Sequence, residues 1–395
     1  MHVDRSYRTG LGTAFYDRLV ELKRLDKLAY SHRMVIVYGP RGVGKSELVR
    51  YWLRGLQERG RIAAVYVDAR RLRGQHLVRA LETRGLLADK KTLAERLLEV
   101  LKDLDDRSTG LLQLTYHAID VLIDVIREYA STRIILFIDE FHLLPRYMHK
   151  SDPAGKYLDA IDDLEALAGL LAKDPHYSNI TIVLTVSEGF TATDLVLSKL
   201  HGYSTAWMLV EHLDVDHFKA LYKEYVSLKS CGVDVDEVLG LVGGTPGYLP
   251  ELCMLDSNTV VEERVPMWIA EVETGLSRAR NVLSAEIFRR EIEPREVIRL
   301  AYELINNDIA PLREPHLHAL GQILTTYNIV YPVYPRGRDG IRYKPQYPVY
   351  RAVIELGYRE GVETLLDLDP HRVYQEAVAK LHGRKPRRGG DHQPG

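Results

Sequence analysis

The sequence predicts an α/β fold: a five-stranded parallel sheet covered by helices, then a helical segment, then a small mixed C-terminal domain. Short, continuous apolar runs alternate with helical stretches through the first half of the chain. A glycine-rich turn joins the first of these runs to a helix. Beyond residue 213 the runs give way to helical periodicity, and after residue 327 to Tyr- and Pro-rich strand signals.

Met34–Tyr38, Ile62–Val67, Ile134–Ile138 and Ile180–Val186 are apolar at nearly every position and rich in Val and Ile. A run without a polar face must be covered on both sides, the situation of parallel strands joined by crossover helices. Trp207–Val210 reads as the fifth strand, which closes a core over residues 1–212. Residues 213–282 read as a helical lid. In 283–361, Pro294–Ile305 and His316–Leu324 have helical periodicity, and Asn328–Pro332 and Gly340–Lys344 frame a hairpin. That is the helix, helix, wing order of a winged-helix domain. Residues 362–395 read as a C-terminal helix and a basic tail from Gly383, too poor in apolar residues to fold.

With 395 residues, 46% apolar and 27% charged, the chain has the makeup of a soluble globular protein that can bury a core unaided. No apolar run approaches the ~20 residues that span a bilayer. The first ten residues lack the apolar stretch of a secretory signal. Both point to a cytoplasmic protein with no membrane role. A formal charge of −2 provides no global attraction to nucleic acid, so any such role needs a local patch. The two cysteines, Cys231 and Cys253, are too few for a disulfide framework and wrongly spaced for zinc, and read as ordinary thiols. Arg outnumbers Lys 37 to 16 and Asn plus Gln total 13, a composition that hints at a thermophile.

Gly39-Pro40-Arg41-Gly42-Val43-Gly44-Lys45-Ser46 satisfies G-x4-G-K-[ST] between an apolar strand and a helix, the context of a phosphate-binding P-loop. Glycines let backbone N–H groups curl around phosphate oxygens, and the N-terminus of the following helix, with Glu47 in its first turn, adds partial positive charge. In such a loop Lys45 reaches the β- and γ-phosphates of a nucleotide and the Ser46 hydroxyl ligates Mg²⁺. The strand Ile134–Ile138 runs straight into Asp139-Glu140. A carboxylate at that strand end lies beside the metal held by Ser46. Asp139 is therefore assigned to Mg²⁺ and Glu140 to the general base that polarises the attacking water, a pairing suited to hydrolysis of ATP. Thr185 and Ser187, at the end of Ile180–Val186, are the two candidates for a polar residue that senses the γ-phosphate; a plain strand-end hydroxyl is the alternative. No second core of helicase type follows.

These motifs together resemble the archaeal ATPase family, within the clade that joins AAA+-like and STAND NTPases. Tyr16-Asp17-Arg18-Leu19-Val20-Glu21-Leu22 is similar to the motif that precedes the family's P-loop strand, with Leu19 where Glu is common. Gly243-Gly244-Thr245-Pro246-Gly247 is similar to its GG-x-P turn after the lid. The resemblance covers about residues 14–360. It implies an ATPase core, a helical lid and a C-terminal winged helix, with ATP between core and lid, Arg18 flanking the nucleotide and Pro246 approaching the base or ribose. The family often carries a Gly-Arg pair after its fourth strand, where this chain reads Gly202-Tyr203. Without that arginine turnover would be slow, unless a neighbouring subunit of an oligomer supplies one.

Arg336, Arg338, Arg342 and Lys344 make the wing basic, which suits the phosphate backbone of double-stranded DNA. The helix before it offers only His316, His318 and Gln322 as polar groups, which suits an intramolecular or protein-facing role instead. The resulting expectation is an ATP hydrolase whose nucleotide state changes the geometry of core, lid and winged helix. The alternatives are a nucleotide-held switch with negligible turnover and a DNA-binding, initiator-like ATPase.

Overall fold

The structure is a computed structural model that describes residues 6–58, 62–68, 81–84, 133–140, 169, 173, 178–186, 205–333 and 340–381. Ser187, Gly202, Tyr203, Arg336, Arg338 and the tail from Gly383 lie outside the described residues. No helix among the described residues is long and apolar enough to cross a membrane.

Helix α1 (Leu19–Ser31) buries Leu22, Leu25 and Ala29 at helical spacing and leads into strand β1 (Met34–Tyr38), buried at all five positions. Helix α2 (Lys45–Gln57) follows the glycine-rich turn, and Trp52 on it is fully buried, its indole N–H donating to Asp26 Oδ1 of α1 at 3.1 Å. The remaining strands of the large sheet are β2 (Ile62–Asp68), β3 (Leu81–Arg84), β4 (Arg133–Asp139), β5 (Ile180–Val186) and β6 (Thr205–Leu209). The sheet order is β3-β2-β4-β5-β1-β6. All neighbours pair in parallel except β3, which lies antiparallel on β2 at the edge. The five segments read as strands are strands, and β3 is an addition, since Leu-Glu-Thr-Arg carries no apolar pattern. On β6 burial alternates because this strand forms the other edge of the sheet. β5 sits between β1 and β4, with Val37 opposite Thr185, so the end of the P-loop strand and the acidic strand end flank a hydroxyl.

The second half is helical: α3 (Val215–Leu228), α4 (Val235–Val242), α5 (Val265–Val282), α6 (Pro294–Asn306), α7 (Pro315–Thr326), α8 (Pro348–Glu360) and α9 (Pro370–Leu381). Asp214 caps α3 by accepting the His217 N–H at 2.9 Å, and Asp234 and Glu237 form a capping box on α4. A three-stranded antiparallel sheet, β7 (Asp308–Ile309), β8 (Val330–Val333) and β9 (Ile341–Pro345) in the order β7-β9-β8, lies among α6, α7 and α8.

Among the described residues two apolar cores stand out. One lies between the large sheet, α1 and α2, around Trp52, Phe137 and Leu48. The other runs unbroken from Leu213 to Ala377 and takes in α3 to α9, with Trp268 of α5 fully buried in it. Each fully buried Leu, Val or Ile in these cores stabilises the fold by about 1.5–3 kcal/mol.

The cysteine expectation is corrected here. Cys231 and Cys253 form a disulfide across 22 residues, beside an isolated bridge between Gly232 and Asp256. Their meeting is decided by how the segment after α3 returns past the short helix Leu249–Leu252, which spacing in the sequence does not reveal.

Candidate nucleotide site

The site forms where β1, β4 and β5 end. Gly42 adopts φ +81°, a conformation that only glycine holds cheaply, and the turn it makes delivers Lys45 and Ser46 to the first turn of α2. Lys45 is buried, and its Nζ donates to the Gly39 and Pro40 carbonyls at 3.0 and 2.8 Å. Burial pulls this ammonium down to about 8, opposed by the nearby carboxylates of Glu140 and Asp139.

Asp139 is fully buried at the end of β4 and accepts hydrogen bonds on both oxygens. Ser46 Oγ donates to Oδ1 at 2.6 Å and Thr185 Oγ1 donates to the same oxygen at 2.5 Å. Tyr66 OH of β2 donates to Oδ2 at 3.0 Å, with Arg50 of α2 at 3.5 Å from that atom. Arg50 also donates to Tyr66 OH. Glu140, in the left-handed region at φ +55°, donates its backbone N–H to Thr185 Oγ1 at 3.0 Å. Lys45, Ser46, Asp139, Glu140 and Thr185 thus come together, drawn from three elements. The sequence reading missed Arg50 and Tyr66. A tyrosine inside the apolar run Ile62–Val67, whose hydroxyl needs a partner, was the available signal.

Next to the loop lies a mainly apolar cavity of about 210 Å³, lined by Leu11, Phe15, Arg18, Val43, Pro246 and Gly247 among others. The N-terminal segment is fixed over α2: Phe15 stacks on Tyr51 at 4.2 Å, and Glu47 accepts from Tyr7 OH at 2.7 Å and from the Gly10 N–H at 3.3 Å. Arg18 is buried in the left-handed region, and its guanidinium is committed to protein groups: the Val43 carbonyl at 3.0 Å, the Glu211 carbonyl at 2.7 Å and Glu21 at 2.8 Å. It braces the P-loop from below while lining the cavity. Pro246 reaches the cavity because the Gly243–Gly247 turn rests on the loop. The Gly247 N–H donates to the Gly42 carbonyl at 3.0 Å, and a Cβ on Gly247 would meet Gly42 Cα at 2.8 Å.

Polar contacts cross from this site to the helical half. His217 of α3 pairs with Asp214 at 2.7 Å and with Asp17 at 3.6 Å, and Asp214 raises the imidazole's affinity for its proton. His212 hydrogen-bonds Thr245 at 2.8 Å, and burial lowers it from 6.5 to about 4. Tyr347 OH, just before α8, donates to the Arg41 carbonyl of the P-loop at 3.4 Å. The wing expectation changes accordingly. Arg342 pairs with Asp308 of β7 at 2.6 Å, and Lys344 of β9 reaches across to Glu211, just after β6, at 2.6 Å.

No curated protein matches the sequence. Among solved structures, the Walker-type ATPase of Pyrococcus abyssi is 21% identical, with 86% of this chain and 96% of that one covered and a TM-score of 0.48. The ORC2 protein of Aeropyrum pernix in ADPNP–ADP complexes is 11% identical, covering 96% and 97% of the two chains at a TM-score of 0.43. The A. pernix ORC1 protein in complex with DNA is 14% identical over 89% and 94%, with a TM-score of 0.42. A family described as an ATPase domain predominantly from Archaea matches residues 15–252, a span that contains the P-loop, the Asp139-Glu140 strand end and the Gly243–Gly247 turn. The chain belongs to this family of archaeal ATPase domains.

Proposed function

We propose that the protein binds Mg²⁺–ATP at Gly39–Glu47, hydrolyses it, and passes the nucleotide state to its C-terminal half. The observation that carries this reading is the contact of Ser46 and Asp139 at 2.6 Å, with Lys45 and Glu140 beside it. A hydroxyl and a carboxylate are hard oxygen donors, which fits Mg²⁺ better than softer ions. When bound, that ion neutralises charge on the phosphate oxygens.

In this reading the Lys45 ammonium exchanges the Gly39 and Pro40 carbonyls for phosphate oxygens, and backbone N–H groups of the loop hold the chain of phosphates. The base enters the apolar cavity between Phe15 and Pro246. Glu140 takes the proton of the attacking water, held in place by its backbone bond to Thr185. Thr185 touches both Asp139 and Glu140, which suits a residue that registers the γ-phosphate. Gly247 on Gly42 and Tyr347 on Arg41 link loop movement to the lid and to the C-terminal domain, which we read as a winged helix from its β7-β9-β8 sheet and flanking helices.

Phosphate release at elevated temperature tests the assignment. Glu140→Gln should lower kcat by about 10²- to 10⁴-fold with ATP still bound. Unchanged turnover in that variant removes Glu140 as the base. ADP that stays bound through gel filtration would instead support the nucleotide-held switch.

A further inference from the structure

Where α5 runs into the π-turn Leu283–Phe288, the surface forms a shallow, open groove lined by Arg280, Asn281, Ser284, Ala285, Arg289, Arg290 and Glu291. Three guanidiniums face one carboxylate there. Arg290 pairs with Glu296 at 2.7 Å and lies over the Phe288 ring at 5.5 Å. Among the described residues, neither Arg280 nor Arg289 has a side-chain hydrogen bond or ion pair. Ser284 Oγ accepts the Ile292 N–H at 3.2 Å, which leaves its hydroxyl proton to donate outward. Arg289 stands at φ +52°, at the end of a helical stretch where glycine fits at less cost. A long cation kept at such a position is better explained by what it meets outside the fold than by the turn itself.

The place of this groove matters as much as its charge. The Phe288 ring lies 5.9 Å from that of His316, so the basic surface borders the first turn of α7. The wing cations Arg342 and Lys344 are neutralised within the protein, by Asp308 and Glu211. The unpaired positive charge in this half of the molecule therefore includes the end of α5, remote from the wing hairpin in sequence. A small free anion is held best by buried donors. Here Asn281, Arg289 and Arg290 are exposed along an open groove, which suits a polyanion laid across it.

We infer that the Arg280–Arg289–Arg290 groove seats the phosphodiester backbone of duplex nucleic acid, as a sequence-independent contact separate from the nucleotide site. Arg280 and Arg289 supply positive charge, and Asn281 and Ser284 add neutral donors.

Anisotropy of a fluorescent duplex of about 20 base pairs and arbitrary sequence, titrated with the full chain at several salt concentrations, tests this directly. Wild type should bind with a steep salt dependence. Arg280→Ala with Arg289→Ala should bind about tenfold or more weakly, with a log–log salt slope shallower by about two. The paired Lys substitutions should keep most of the affinity, and they decide the matter if the Ala pair fails to fold. ATP hydrolysis should be the same in all of them, so failure here is distinguishable from failure of the ATPase reading. The inference is overturned if wild type does not bind the duplex, if the Ala pair binds as wild type does, or if the Lys pair is as weak as the Ala pair. Affinity for inorganic tripolyphosphate at this groove without affinity for the duplex would also overturn it.

Discussion

Lys45 carries its charge where water barely reaches. Burial lowers it from 10.5 to about 8, and the carboxylates of Glu140 and Asp139 restore only part of the loss. The unfolded chain keeps that proton up to 10.5, so between the two values the unfolded state binds more protons and the group's contribution to stability rises with pH. Phosphate binding acts in the opposite sense, because a polyphosphate beside Nζ favours the ammonium. Calorimetry of ATP binding at about pH 8.5, in buffers of different ionisation enthalpy, should therefore report proton uptake that vanishes near pH 7. Heats independent of the buffer at both pH values would contradict this account. Lys45, Ser46 and Asp139 were legible in the sequence because their chemistry admits few other residue types in that order. Arg50 and Tyr66 were not, since they reach Asp139 from α2 and β2 and meet only through the sheet order.

At the scale of elements, the Gly243–Tyr248 turn joins the site to the helical half. It touches the P-loop backbone to backbone, through Gly247 and Gly42. Gly247→Ala would press a Cβ against Gly42 Cα at 2.8 Å and the Gly42 carbonyl oxygen at 3.0 Å, neither of which can swing away as a side chain would. The turn should lift from the loop, with ATP affinity about tenfold weaker, or about 1.4 kcal/mol. Equilibrium binding by a fluorescent ATP analogue measures this, and an unchanged Kd would mean that the turn does not bear on the nucleotide. β1, β4 and β5 were readable because a strand buried on both faces leaves no polar period. β3 lacks that mark and pairs with β2 at the edge of the sheet. The ion pairs of Arg342 and Lys344 were not legible because their partners, Asp308 and Glu211, lie 34 and 133 residues away in sequence.

Across the whole molecule, the sheet core and the helical half each have their own apolar interior. The Cys231–Cys253 bond closes 22 residues within the second of these, next to the turn that rests on the P-loop. Loop-closure entropy gives such a bond a contribution of about 3 kcal/mol. Denaturant unfolding with and without reductant should show a loss of that order, and Cys231→Ser should match the reduced protein. A difference under about 0.5 kcal/mol would mean that the unfolded chain is hardly constrained by the bond. Neither the bond nor the shared interior was visible beforehand, because both arise from contacts between segments that local pattern treats separately. The shared interior has a further consequence for recombination. Because α5 packs against α6, α7, α8 and α9 together, an exchange of parts with a related chain anywhere between Leu213 and Ala377 would bare apolar surface on both products. The stretch Glu211–His212, just ahead of that interior, is where a join would leave it whole.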